Sequence, residues 1–501
     1  MNKIFFNRAW WFVGIVLSFL LFFALSLPGD PDLGWHLGSG RYLWTHLLPP
    51  HTDIFSWSMP DFPWIAHEWM TDRIMYVLYH IGGLWPLVIL FSLIIVLAFW
   101  LPTRMQQFRK TPLSAIVGSA IALLVCWNII GVRPQMLTLV GTAITMLILF
   151  AWRDNRQIRI LYWLPILFFV WVNFHGGFLS GFVVIGMFIV GEALRRILAG
   201  PRPAKTLYLL SWQELFRLGL IGIGGGLLAT LINPYGWHIY REIYDTLSQS
   251  DILNRIAEWL PVTLQSSGSY NAVILGVLII VLIFINRFNF DFTKLVLAIT
   301  FFFFGVTSWR HLPLFALVSL PLLIEQLGPV VEHGLQELAR RTWLLLILAI
   351  LVFGWGLNRV DVLRTALSSP VSYGQATGYP IQAMDYIKQH FSSDVRLVTE
   401  YGWGGYIIWQ LPEYKLFIDG RMAIWRQNGL RIFDDYTKLL SLNPKDITEM
   451  VDKWHPEVIL LPREHLVNNV LGNNPTEWKL IYSDEFSLLW EYRQENKISN
   501  S

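Results

Sequence analysis

The chain has 501 residues, of which 54% are hydrophobic and 15% charged, whereas a soluble globular domain is nearer a quarter charged. Mean hydropathy is +0.46, so the composition describes a polytopic α-helical membrane protein with room for about ten spans and one soluble domain. The net charge of +3 and the lack of a basic stripe argue against a nucleic-acid partner. Cys126 is the only cysteine, so no internal disulfide forms.

The chain opens with MNKIFFNR and an apolar run to Leu27. At about 18 residues this run exceeds the usual core of a cleaved signal, so it reads as an uncleaved first span. Further spans are expected at 84–101, 113–131, 135–152, 158–173, 177–194, 215–232, 271–286, 294–309, 311–326 and 342–358. With 9–27 that makes about eleven, using the length needed to cross hydrocarbon. Lys and Arg mark one side as cytoplasmic: Lys3, Arg8, Arg104, Arg109, Lys110, Arg153, Arg156, Arg159, Arg195, Arg196, Arg202, Lys205, Arg287, Lys294, Arg340 and Arg341 all fall there. The N-terminus is then cytoplasmic, while the first loop and a C-terminal domain are extracytoplasmic.

The first loop, 28–83, carries five Asp, one Glu and five His between two apolar runs. Two amphipathic helices are expected in it, Gly34 to Leu48 and Ala66 to Tyr79, separated by Pro49-Pro50 and Pro60 to Pro63. The same face receives Arg133 and Gln135, Asn173 and His175, the turn Asn233-Pro234-Tyr235-Gly236 with His238, and Arg310-His311. From about Ser368 the composition turns soluble. Helices are expected at Ile381 to His390, Gly402 to Leu411 and Asp446 to Trp454. Strands are expected at Asp394 to Thr399, Leu416 to Ile418 and Val458 to Leu461, with a closing hairpin over Trp478 to Tyr492. This alternation describes a small α/β domain over 368–495, after a transmembrane domain over 1–360.

Chemistry concentrates in the loop. Asp30 and Asp32 follow the first span, and Asp30 either caps the following helix or serves a site with Asp32. His36 lies one helical turn beyond Asp32, and Asp53, His67 and Glu68 follow. Paired carboxylates suit deprotonation of an acceptor hydroxyl, or oxygen ligation of a divalent cation such as Mg or Mn at Asp30, Asp32 and His36. His67-Glu68 lacks the second His of a zinc-protease motif, because position 71 is Thr71. Arg133 and Arg310, with His311, suit an anionic headgroup such as a phosphate. Gln135, Asn173, His175, Asn233, Tyr235 and His238 complete a polar ceiling over an apolar bundle. Glu400, Trp403, Asp419 and Arg421 in the C-terminal domain read as packing residues or as a saccharide shelf.

DPDLGWHLGSGRY, PPHTDIFSW and PWIAHEW, followed by VRPQ, NFHGG, NPYG, WRHLPLFA and YGWGGYIIWQLP…FIDGR, resemble a group of bacterial membrane proteins with the same motifs. More broadly, Asp just after the first span, a second acidic residue near the next helix and many spans resemble the glycosyltransferase C superfold. That superfold includes protein mannosyltransferases, aminoarabinose transferases and oligosaccharyltransferases. The resemblance implies a polyprenyl-phosphate-linked sugar donor, used on the outer face with inversion, and a glycan, lipid or protein acceptor. It implies Asp32 as base, Asp30 in reserve and Glu68 at the second acidic position. The chain departs from the mannosyltransferases, whose first loop has adjacent acidic residues. The other reading is a non-catalytic envelope assembly or export protein with a C-terminal binding domain. A transporter fits less well, since its charges belong at the membrane midplane.

Overall fold

A computed structural model describes residues 3–199, 209–249, 257–261 and 269–493. Arg202 and Lys205, used above for orientation, lie outside them. The chain divides into two compact units. One comprises Met1–Leu27, Pro86–Ile239 and Leu253–Val362; the other comprises Pro28–Trp85, Tyr240–Ile252 and Leu363–Ser501. The first loop therefore clusters with the C-terminal segment, whereas the division expected at about 360 grouped it with the spans.

The first unit is helical. Each expected apolar run falls on helix. Among the described residues, five helices are long and apolar enough to cross a membrane: Trp85–Arg104, Met136–Asn155, Gly176–Leu198, Trp309–Arg340 and Thr342–Ala366. Arg8–Ala24, Pro112–Val125, Ile158–Phe174, Tyr270–Ile285 and Phe292–Thr307 are apolar but shorter. The expected count of about eleven spans thus exceeds the number of helices that meet the length criterion. The run at 215–232 starts with a Ser211/Glu214 capping box, passes through a π-helical turn at Gly219–Gly224 and regains α-helix at Gly225–Thr230. Its glycines lower the cost of that irregularity and weaken the helix. Arg153, Glu192 and Lys294, buried in this unit, are ion-paired, as a low dielectric favours. Glu192, fully buried, accepts from Arg153 at 3.0 Å, Arg195 at 2.8 Å and the Thr293 hydroxyl at 2.8 Å.

The second unit is built on a four-stranded sheet of order β1-β4-β6-β5: β1 (Leu397–Thr399), β4 (Val458–Pro462), β5 (Trp478–Ser483) and β6 (Ser487–Tyr492). Two further short strands, β2 (Arg426–Gln427) and β3 (Leu430–Arg431), pair separately. β1 and β4 are parallel and β6 is antiparallel to both β4 and β5. The parallel pair requires a long crossover, and residues 400–457 supply it with the helices Gly404–Gln410, Ile432–Leu439 and Pro444–Trp454. The expected helix Ile381–His390 and the closing hairpin are present. Leu416 to Ile418 is not a strand. Leu416 instead bridges Ser56 and Leu397, with Leu416 N–H donating to Phe55 O and Trp57 N–H donating to Leu416 O, both at 2.9 Å.

Two helices of the first loop, Leu33–Thr45 and Trp69–Gly82, complete this unit. Leu33–Thr45 lies against Gly404–Gln410 so closely that a Cβ on Gly34 would stand 2.0 Å from Gly405 O, and one on Gly405 would stand 2.2 Å from Pro31 O. Backbone cannot yield as a side-chain tip can. Gly405→Val is therefore expected to destabilise the protein by about 1–3 kcal/mol or more, read as a lower melting temperature in detergent. The same change at Gly402, with nothing within 4 Å of its Cβ position, should cost much less.

Candidate active site

Asp32 stands at the N-terminus of the Leu33–Thr45 helix with φ −83° and ψ −17°, yet its side chain makes no capping hydrogen bond. Its Oδ1 accepts the Trp35 indole N–H at 2.9 Å. Gly420 lies against the same oxygen, since a Cβ there would be 2.0 Å from Asp32 Oδ1. Asp30 does the local work: its Oδ1 accepts the Asp32 N–H at 2.7 Å, the Asx pattern that fixes a turn. Tyr379 donates to the Asp30 carbonyl at 3.2 Å and stacks on Tyr406 with ring centroids 4.2 Å apart. Asp30 thus fixes the turn into the helix, and Asp32 holds the Trp35 indole.

One turn along, His36 is 2% exposed and its Nδ1 donates to Asp72 Oδ1 at 2.7 Å, with Glu68 Oε2 at 3.7 Å. Burial disfavours its charge, but Asp72, Glu68 and Asp32 outweigh that, and its pKa is pushed up to about 9. Asp72, fully buried, is itself raised by burial, against the pull of His36. Asp72 is missing from the residues singled out by sequence. Its signal was the four-residue step from Glu68, which puts both carboxylates on one helix face. His67 is at the edge of this group, with Nε2 3.8 Å from Glu68 Oε1.

Asp53 proves structural. Its carboxylate accepts from the backbone and hydroxyl of Ser56 at 2.8 and 2.5 Å and pairs with Arg421 at 2.9 Å. Arg421 also pairs with Asp419 at 2.6 Å and sits over the rings of Trp64, Phe55 and Trp425 at 4.4, 4.8 and 5.1 Å. Burial opposes its charge, and the two carboxylates more than restore it. Trp403 is buried, so it is no open saccharide shelf.

In the helical unit, Arg133 and Arg310 meet on one carboxylate. Arg133 bonds Glu258, Arg310 Nη1 lies 3.8 Å from the same side chain, and Arg310 stacks over Trp259 at 5.3 Å. Burial raises the pKa of Glu258, but the two guanidinium groups prevail and hold it below the usual range. His311 is beside Trp259, 6.0 Å between ring centroids. The remaining ceiling residues are engaged in local structure. His175 Nδ1 accepts from the Gly177 N–H at 2.8 Å and meets the Thr138 hydroxyl at 2.7 Å. Asn173 donates to Ile232 O at 3.0 Å. Asn233 closes its own turn through Tyr235 N–H, Thr230 O and Gly236 O. Tyr235 is buried, His238 is exposed against Trp237, and Gln135 lies one turn before Thr138 at the start of the helix Met136–Asn155.

Asp30, Asp32 and His36 do not fit together as a divalent-cation site. Asp30 Oδ1 accepts the Asp32 N–H, Asp32 Oδ1 accepts the Trp35 indole N–H, and His36 Nδ1 pairs with Asp72. Among the described residues no group of three or more His, Cys, Asp and Glu is arranged to hold a metal.

No protein-family model matches the sequence. No curated protein matches it either. Solved structures do. ArnT from Cupriavidus metallidurans bound to undecaprenyl phosphate matches at a TM-score of 0.56 and 14% identity, covering 97% of this chain and 98% of that one. The oligosaccharyltransferase AglB from Archaeoglobus fulgidus, in complex with an inhibitory peptide and a dolichol-phosphate, matches at 0.58 and 12%, covering 98% and 75%. Its apo form matches at 0.56 and 11%, covering 96% and 74%. The chain shares its fold with these structures.

The His36 pair carries a pH signature. A pKa raised from 6.5 to about 9 supplies stability that is complete below pH 6.5 and lost as pH rises through about 9, on the order of 3 kcal/mol. The melting temperature should fall over that window. Asp72→Asn should lower it at neutral pH by an amount equivalent to about 3 kcal/mol and flatten its dependence between pH 7 and 9. An unchanged pH profile in that variant would place the titration elsewhere.

Proposed function

We propose that the protein is a membrane glycosyltransferase that moves a sugar from a polyprenyl-phosphate-linked donor to an acceptor hydroxyl on the outer face. The observation that carries this reading is the Asp32 carboxylate, half-buried and oriented by Trp35, in a chain with this fold. The Lys and Arg distribution supports an inner N-terminus and an outer C-terminal segment.

In the proposed reaction Asp32 takes the proton of the acceptor hydroxyl as its oxygen bonds to the anomeric carbon. The bond from that carbon to the phosphate oxygen breaks on the opposite side, and polyprenyl phosphate leaves with the electron pair. A single displacement of this kind inverts the anomeric centre. Trp35 and Gly420 set the rotamer and close surroundings of Asp32, which supports orientation. His36 lies within electrostatic reach of Asp32 and sets a positive charge near that carboxylate. Glu68 then belongs to the electrostatic support of His36 and not to proton transfer. Arg133 and Arg310 are the proposed phosphate-binding pair, since guanidinium groups match phosphate oxygens in pairs.

Asp32→Asn should lower transfer from a polyprenyl-phosphate sugar by about 10²–10⁴-fold with little change in melting temperature, measured by radiolabelled sugar release in proteoliposomes. Full activity in that variant would remove Asp32 as the base. Arg133→Ala and Arg310→Ala should each weaken undecaprenyl phosphate binding by about 10–100-fold, as loss of a charged hydrogen bond does. Protein that binds neither polyprenyl phosphate nor a sugar-lipid would favour the non-catalytic envelope assembly reading.

A further inference from the structure

The helices Trp85–Arg104 and Pro112–Val125 are joined by a short segment that carries Arg104, Arg109 and Lys110, all exposed. This junction is at the opposite end of Pro112–Val125 from Arg133. Beside it opens a cavity of about 570 Å³, within the size range of small-molecule sites. Its walls are apolar: Trp10, Val13, Trp100, Leu113 and Ile116. Its single carboxylate, Glu332, is 7% exposed and already held, with Oε2 accepting the Ser114 N–H at 2.7 Å and hydroxyl at 2.6 Å, and Oε1 accepting from Gln336 at 3.2 Å. Three cations at the mouth therefore face one carboxylate, which is already hydrogen-bonded to Ser114 and Gln336. The Arg104 guanidinium stacks over Trp100 at 5.2 Å, which fixes one of them at the rim.

A basic mouth on an apolar chamber suits a molecule with an anionic head and a hydrocarbon tail. We propose that this cavity binds an anionic phospholipid, with its phosphate at Arg104, Arg109 and Lys110 and one acyl chain between Trp10, Val13, Leu113 and Ile116. By the Lys and Arg distribution the lipid comes from the inner leaflet, where anionic headgroups attract clustered basic residues. The site is independent of Asp32 and of the Arg133–Arg310 pair, so it stands or falls apart from glycosyl transfer.

Native mass spectrometry of the full chain in detergent tests this, with dioleoylphosphatidylglycerol as probe. Wild-type protein should retain that lipid at least about tenfold better than dioleoylglycerol, which lacks the phosphate. Millimolar inorganic phosphate should leave it bound. The triple variant Arg104→Glu/Arg109→Glu/Lys110→Glu changes only exposed side chains and should lose most of the binding. Val13→Trp fills the chamber, keeps the charges and should lose it as well. Equal retention of the two lipids, displacement by inorganic phosphate, or undiminished binding in either variant would overturn the proposal. Binding lost only in the charge variant would mean surface attraction without a cavity.

Discussion

Asp32 owes its position to two backbones that touch. Leu33–Thr45 and Gly404–Gln410 approach so closely that neither Gly34 nor Gly405 has room for a Cβ, and Gly420 closes on the Asp32 carboxylate in the same way. Contacts of this kind leave little slack, because backbone atoms have no rotamers to move into. The first loop and the C-terminal segment, nearly four hundred residues apart in sequence, therefore fold as one unit. Closing a connection that long costs entropy, but the cost grows only slowly with length. The ion pair of Asp53 with Arg421 and the backbone bonds of Leu416 to Phe55 and Trp57 reinforce the same junction.

Charge in the second unit is organised by burial. The imidazolium of His36 is shielded from water and answered by Asp72 and Glu68. Arg421 is likewise buried between Asp53 and Asp419. In such surroundings an unpaired charge is far more costly than in water, so these groups fix one arrangement of their helices. The Arg133–Glu258–Arg310 cluster of the helical unit is different in kind. All three side chains keep between a fifth and a third of their exposure, so their mutual attraction is weakened by solvent. A partly hydrated pair of guanidinium groups can exchange one anion for another at modest cost. The buried pairs of the second unit have no such freedom.

Local pattern was enough for much of this. Apolar runs of near-membrane length, the glycine and proline breaks, and the helix and strand periods of the C-terminal segment are properties of neighbouring residues. The helix Ile381–His390 and the hairpin of β5 and β6 follow from them directly. The loop rich in Asp and His was equally legible, whereas the cap position fell to Asp32 and not to Asp30. Leu416 to Ile418 misled because a short apolar triplet is compatible with a strand, whereas its partners, Ser56 and Leu397, determine that it forms isolated bridges. The π-helical turn at Gly219–Gly224 likewise depends on how the glycines pack.

The sequence by itself determined that this is a polytopic chain with an acidic first loop and a small α/β segment, since hydropathy and periodicity are read from adjacent residues. Only the tertiary structure decided which partners the polar side chains meet. Asp30, Asp53, His175 and Asn233 serve turns and pairs, while Asp32 holds the Trp35 indole. Asp72 became significant only when the helix Trp69–Gly82 set it against His36. The physical reason is that burial and pairing depend on partners supplied from distant parts of the chain, and no local spacing encodes them.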